Sequence, residues 1–216
     1  PVPIIHTFHG HLLDDPEFSG FKSKVIIEVE RMLAKKSAKL VTVGRRVADE
    51  LLEQKIGHRS QFVNIPPGVV ALDVAPKAIA LKNLNLQDSG TPIVGWIARM
   101  TGVKNPMRAL EVADALPDTH FVMAGGGDLL EQVKAAAPSN VSVIGWADAA
   151  DLFGAADIIL STSENEGMPV ALIEAQLSGK PVVAISVCSH GLQTFRQCQC
   201  RCLLAQPAER ALAIAC

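Results

Sequence analysis

The stretch IILSTSENEGMPVALIEAQLSGK, Ile158 to Lys180, decides the fold. Its first four residues, 158–161, read as a buried strand. A polar loop through Thr162 and Glu166 follows, and Gly167-Met168-Pro169 leads into a helix over 169–178 that Gly179 stops. A strand that hands over to a helix through such a loop is half of a βαβ unit, and the same alternation recurs on both sides. Strands are expected at 93–98, 121–124, 141–144, 158–161 and 182–185, with helices at 106–116, 128–137, 148–155 and 169–178. The first of these helices is well marked, because Asn105 can cap it and Pro106 suits its first position. Five strands separated by four helices imply an α/β fold with a parallel sheet and right-handed crossovers. In such sheets ligands sit beyond the carboxyl ends of the strands, so the loops that follow the strands hold the chemistry.

Upstream, the reading gives a strand over 2–8, a helix over 21–36, a strand over 39–43, a helix over 45–55 and a short strand over 62–65. Val25, Val29, Met32 and Leu33 share one face of the first helix. From Pro66 to Gly90 the chain is rich in turn formers and has room for at most one short helix. The expected organisation is therefore a first Rossmann-like domain at 1–68, only partly present, a linker at 69–90, a second Rossmann-like domain at 91–185, and a divergent tail at 186–216. Because the chain opens on Pro1 inside an apparent strand, the first domain is expected to be truncated at its amino end.

Composition limits the function classes. The chain has 216 residues, 49% of them hydrophobic and 19% charged, as in a globular protein with a core of its own. A formal net charge of −2 argues against general nucleic-acid binding. No apolar run approaches the roughly 20 residues that span a bilayer, and no signal-peptide pattern opens the chain, so the cytoplasm is the expected location. Between Gly20 and Ser60 ten Lys and Arg face five Asp and Glu. This basic excess reads as a solvated helix face, with peripheral attraction to an anionic membrane carrying a lipid-linked acceptor as the sharper alternative. All five cysteines lie at or beyond Cys188, so the body of the chain uses no thiol chemistry.

Three loops carry candidate chemistry. After the strand at 93–98 come Arg99 and Lys104, two cations flanking a loop that opens a helix. A planar guanidinium, a compact ammonium and helix N–H groups together suit a diphosphate, although two solvated surface cations would look the same. After the next strand come Gly125, Gly126 and Gly127, which permit close backbone approach to a phosphate or base, or simply form a strand-to-helix turn. Leu130 stands where the last glycine of a dinucleotide fingerprint belongs. The third loop carries Glu166 and leads to Glu174. Two carboxylates invite a glycosidase reading, but eight helical residues span about 12 Å, beyond the roughly 5–9.5 Å of hydrolytic pairs. Separate binding duties fit better, since carboxylates accept hydrogen bonds from sugar hydroxyls. No Asp-x-Asp pair or spaced His/Cys/Asp cluster occurs in the body of the chain, so neither a bound metal nor another cofactor is expected.

Taken in order, GWIAR with Arg99 and Lys104, VMAGGGD, AADIILS with Asp157, EGMPVALIEA from Glu166 to Glu174, and GKPVVA resemble the retaining glycosyltransferases of family 4, also called glycosyl transferases group 1. HTFHGH around His9, ERMLA from Glu30, and NIPPG from Asn64 extend the resemblance over about 1–185. It implies a GT-B fold of two Rossmann-like domains and a nucleotide-sugar donor, UDP-linked by expectation, transferred to a polysaccharide or lipid-linked acceptor. Arg99 and Lys104 would hold the diphosphate and stabilise its charge as the sugar leaves. Glu166 would contact donor-sugar hydroxyls, with Gly167, Met168 and Pro169 placing backbone beside them. Glu174 would bind the ribose, and His9 would reach the donor sugar, with His11 a weaker candidate. Gly125 and Gly126 would lie along the donor. The family retains anomeric configuration without a bound metal, the leaving phosphate helping to accept the attacking hydroxyl's proton. A nucleotide-sugar epimerase of the same fold and an inactive nucleotide-binding fragment are the competing readings.

The resemblance stops near Ile185. The following run from Cys188 to Cys202 is polar and cysteine-rich, its Cys-x-Cys-x-Cys spacing does not match zinc sites, and the tail reads as off-frame sequence.

Overall fold

The computed structural model describes residues 2–10, 21–185 and 202–205, the last four as backbone only. The chain divides into two compact units, Pro1–Gly68 with Asn165–Pro169, and Val69–Glu164 with Val170–Cys216.

In the first unit, β1 (Ile5–Phe8), β2 (Lys39–Thr42) and β3 (Phe62–Asn64) form a parallel sheet in that order, with Ile5 opposite Lys39 and Leu40 opposite Phe62. Helices α1 (Phe21–Lys36) and α2 (Arg45–Glu53) make the connections. Leu40, Val43, Val47, Leu51 and Ile56 form the core with Phe8 and Ala34, and Phe62 and Met168 pack against it. Arg31 ties α1 to the end of α2 by donating from Nε and Nη2 to the Gln54 carbonyl at 2.9 and 2.7 Å. Helix α1 has the expected extent, but the face shared by Val25, Val29, Met32 and Leu33 points outward, and Ala34 on the opposite side is the buried residue. Apolar periodicity reveals a helix without saying which neighbour its stripe meets.

The second unit is a doubly wound sheet. Its strands are β4 (Ile93–Ile97), β5 (His120–Ala124), β6 (Val141–Gly145), β7 (Ile158–Ser161), β8 (Val182–Ile185) and β9 (Cys202–Ala205), all parallel, in the order β6-β5-β4-β7-β8-β9. Numbered from β4, this is the 3-2-1-4-5-6 order of dinucleotide-binding sheets. The side-chain period of two sends successive residues to opposite faces. Trp96, Phe121, Met123 and Leu160 pack on one face, and Ile93, Val122, Ile159 and Phe153 on the other.

Helices α4 (Pro106–Asp114), α5 (Leu130–Ala136), α6 (Ala149–Ala155) and α7 (Val170–Leu177) stand where the sequence places them, one or two residues shorter at some ends. Asn105 caps α4 by accepting from the Arg108 N–H at 3.2 Å, and Asp148 caps α6 by accepting from Ala150 at 2.9 Å. One short helix does interrupt the 69–90 segment. This helix, α3 (Lys77–Asn83), buries Ala80 and Leu81 in the core shared with α6, so the segment packs as part of the second unit. Strand β9, opposite β8 with Val182 beside Cys202, is an element the sequence reading lacks. The rest of the 186–216 tail and His11 lie outside the described residues.

Among the described residues, no helix is long and apolar enough to cross a membrane.

Candidate functional site

In the second unit the strand order reverses direction at β4: β5 and β6 build outward on one side, while β7 begins the other. Ligands of open α/β sheets lie at such a switch point, beyond the carboxyl ends of the strands. The loops that meet there are 98–105 after β4 and 162–164 after β7.

The β4 loop is anchored at Met100, which is fully buried. Its N–H donates to the Gly126 carbonyl at 2.9 Å, and its own carbonyl accepts from Leu129 at 3.0 Å. Arg99, beside this anchor, is exposed. Lys104 is half-buried at the end of a turn in which its N–H donates to the Thr101 carbonyl at 3.1 Å. Asn105 follows in the left-handed region, at φ 45°, and turns the chain into α4.

Thr162, only 1% exposed, pins this turn from beneath. Its hydroxyl accepts from the Trp96 indole N–H at 2.9 Å and lies 3.0 and 2.9 Å from the carbonyls of Lys104 and Asn105, which share its single proton. Two further links join the loops. The Glu164 N–H donates to the Val103 carbonyl at 2.8 Å, and the Asn105 amide donates to the Glu164 carboxylate at 2.7 Å. Arg108 stands 3.9 Å from the same carboxylate. None of Trp96, Thr162 or Glu164 carries a role in the sequence reading. Nothing local in the sequence announces a bond between residues so far apart.

The glycines after β5 have a packing reason. Gly125 and Gly127 have φ of 135° and 152°, and side chains there would collide with the Ala98 and Met100 carbonyls. Adjacent loop backbones therefore touch directly. Gly125 also donates to the Gly145 carbonyl at 2.6 Å, which carries the contact on to the β6 loop. Arg99, Lys104, Gly125 and Gly126 are thus brought together along one edge of the sheet.

Glu174 lies on α7, with its carbonyl accepting from the Ser178 N–H and hydroxyl, and burial raises its carboxyl above the ordinary range. Glu166, Gly167, Met168 and Pro169 belong by their packing to the first unit. There a side chain on Gly167 would strike the His9 carbonyl and come within 2.9 Å of Gly10 Cα. The exposed His9 and the half-buried Gly167 are therefore neighbours through their backbones. Among the described residues no three His, Cys, Asp or Glu side chains gather as a metal site would require.

Parallel α/β units, the second a doubly wound sheet, give the chain the architecture of part of a GT-B fold. The family model described as glycosyl transferases group 1 matches residues 91–216, and the chain belongs to that family. It is 25% identical over 201 residues to an Escherichia coli UDP-Gal:alpha-D-GlcNAc-diphosphoundecaprenol alpha-1,3-galactosyltransferase, covering 85% of this chain and 51% of that protein. It is 27% identical over 184 residues to the 2-deoxystreptamine glucosyltransferase of Streptomyces kanamyceticus, covering 76% and 46%. The chain spans about half the length of the curated relatives it matches. Among solved structures, Anabaena Alr3699/HepE in complex with UDP and glucose superposes with a TM-score of 0.76 at 21% identity, over 96% of this chain and 58% of that one. WaaG, a glycosyltransferase involved in lipopolysaccharide biosynthesis, superposes with a TM-score of 0.74 at 17% identity, over 96% and 62%.

Proposed function

We propose that this chain is the donor-binding part of a retaining glycosyltransferase of family 4 that moves a sugar from a UDP-sugar to a polysaccharide or lipid-linked acceptor. The observation that carries the reading is the pair Arg99 and Lys104 on the loop that opens α4, at the switch point of a sheet from this family. In this proposal the bond between the anomeric carbon and the diphosphate oxygen breaks, and the acceptor hydroxyl attacks from the same face. Its proton passes to the departing phosphate. Arg99, Lys104 and the N–H groups of α4 stabilise the charge that develops on the diphosphate, so no resident metal or other cofactor is required. Glu166 holds donor-sugar hydroxyls beside Gly167, Met168 and Pro169, Glu174 holds the ribose, and His9 meets the sugar.

The printed donor and acceptor of the E. coli relative, UDP-Gal and a diphosphoundecaprenol-linked sugar, support the donor and acceptor classes. A cytoplasmic place with peripheral contact to a membrane surface is part of the same proposal, and the basic excess of the 20–60 segment supports that contact.

Calorimetric titration of the chain with UDP tests the reading. UDP is expected to bind, and Arg99→Ala to abolish that binding. UDP binding that survives Arg99→Ala overturns the diphosphate assignment. Release of UDP from a UDP-sugar only when an acceptor is supplied separates transfer from epimerisation.

A further inference from the structure

We propose that Glu164 is a positioning residue for Lys104, fixing the turn that presents this cation to the diphosphate, an inference that rests on the donor reading above. Glu164 grips the chain on both sides of Lys104. Its backbone N–H donates to the Val103 carbonyl at 2.8 Å, and its carboxylate accepts from the side-chain amide of Asn105 at 2.7 Å. Lys104 is the one residue between these two partners. One attachment runs through main chain and the other through a side chain, so both ends of the peptide segment that carries the Lys104 side chain are held by a single residue of the neighbouring loop.

The carboxylate also settles how Asn105 is used. A side-chain amide has a donor end and an acceptor end, whereas an ionised carboxylate only accepts. Glu164 therefore takes the amide nitrogen and leaves Oδ1 to the Arg108 N–H, the cap of α4. The backbone of Asn105 stands at φ 45° and ψ 60°, a left-handed conformation that Asn adopts more readily than most residues. Its N–H donates to the carbonyls of Thr101 and Gly102, both at 3.1 Å, and its own carbonyl faces the Thr162 hydroxyl at 2.9 Å. Thr162 thus holds the turn from the buried side, and Glu164, with its side chain half exposed, holds it from the solvent side.

A carboxylate on the loop beside a diphosphate site repels the ligand, and Arg108, 3.9 Å away, offsets only part of that repulsion. What Glu164 contributes is therefore geometry rather than charge, and the two can be separated, because a glutamine keeps an accepting oxygen and drops the charge. Glu164 is also the last residue of the second unit before the 165–169 segment. The same grip that holds Lys104 fixes the point at which the chain leaves the second unit.

The test titrates the 216-residue chain with UDP by calorimetry and follows amide hydrogen exchange by mass spectrometry. Glu164→Ala keeps the main-chain bond to Val103 and loses only the bond to Asn105. It is expected to weaken UDP binding about 3- to 20-fold, the range of one hydrogen bond to a charged group at a half-exposed place. Exchange of the Lys104 and Asn105 amides should quicken, while the rest of the second unit exchanges as in the wild type. Glu164→Gln should bind UDP at least as tightly as the wild type, with exchange at 104 and 105 unchanged. Because the side chain is half exposed, both variants should keep the wild-type melting temperature. UDP affinity of Glu164→Ala equal to that of the wild type overturns the positioning role. So does Glu164→Gln binding as weakly as Glu164→Ala, or a loss of affinity without faster exchange at 104 and 105. Each of those results leaves the donor reading standing, whereas a wild type that does not bind UDP overturns the donor reading and the positioning role with it.

Discussion

The indole N–H of Trp96 donates to the hydroxyl of Thr162 at 2.9 Å, and that hydroxyl lies within 3.0 Å of two carbonyls of the turn that presents Lys104. One buried oxygen thus joins the second-unit core to the loop proposed to hold the diphosphate. Thr162→Val keeps the shape but leaves an indole N–H and two carbonyls without their partner. Stability should fall by about 1–3 kcal/mol, read by urea denaturation, while Thr162→Ser should stay close to wild type. At a temperature where Thr162→Val remains folded, its UDP affinity should also drop. An unchanged midpoint would mean the hydroxyl is not holding the turn.

Gly125 and Gly102 make a matched pair of tests on neighbouring loops. Gly125 has φ 135° and no room for a side chain beside the Ala98 carbonyl, while a Cβ at Gly102 would meet nothing within 4 Å. Gly125→Ala should cost about 2 kcal/mol or more through backbone strain and collision. Gly102→Ala should stay within about 0.5 kcal/mol of wild type. Equal midpoints for the two variants would contradict the contact between the β4 and β5 loops.

Asp157 gives the second unit an acid-sensitive joint. Burial works against its carboxylate, but hydrogen bonds from Lys77 and the Ile93 N–H and the charges of Lys77 and Lys180 outweigh it, so its pKa lies below the ordinary value. A depressed folded-state pKa contributes stability above the unfolded value of about 3.9. That contribution is lost as pH falls through the folded one. Asp157→Asn should therefore lower stability near pH 7 by about 1 kcal/mol, a modest figure because the pair is half exposed. The gap should begin to narrow below about pH 4 and go on narrowing as the pH falls through the folded-state pKa. A gap that does not narrow as the pH falls below that value would show that packing rather than charge is responsible.

Gly167 stands where a side chain would meet the His9 carbonyl. Gly167→Ala should displace the segment carrying Glu166 and lower acceptor-dependent UDP release at least about tenfold, with a stability cost of about 1–3 kcal/mol. Full activity in this variant would show that the backbone approach has no bearing on transfer.

The parts of the fold legible in the sequence are those governed by neighbours along the chain. Asn105-Pro106 announces α4 because a cap and its acceptor are three residues apart, and the strands at 93, 121 and 158 show as apolar runs between polar loops. The outward face of α1 was not legible, since periodicity marks a stripe without naming what meets it. Strand β9 was hidden in a cysteine-rich run whose partner, β8, lies about twenty residues earlier. At the site, Arg99 and Lys104 stood out as cations on a strand-to-helix loop. The Trp96–Thr162 bond did not, because it closes only when β4 and β7 lie side by side. In the sequence the three glycines suit either close approach to a ligand or a plain strand-to-helix turn, and two of them owe their identity first to the carbonyls of the adjoining loop.

The order β6-β5-β4-β7 has an evolutionary consequence. The chain writes Gly125 to Gly145 as one uninterrupted stretch, while the two loops tied by Thr162 come from either side of it. A single recombination cassette spanning the β5 and β6 loops could replace both of them in one inherited piece. The loops that grip Lys104 would pass through unaltered. Such a gene could remodel that edge of the sheet without disturbing the turn that carries Lys104.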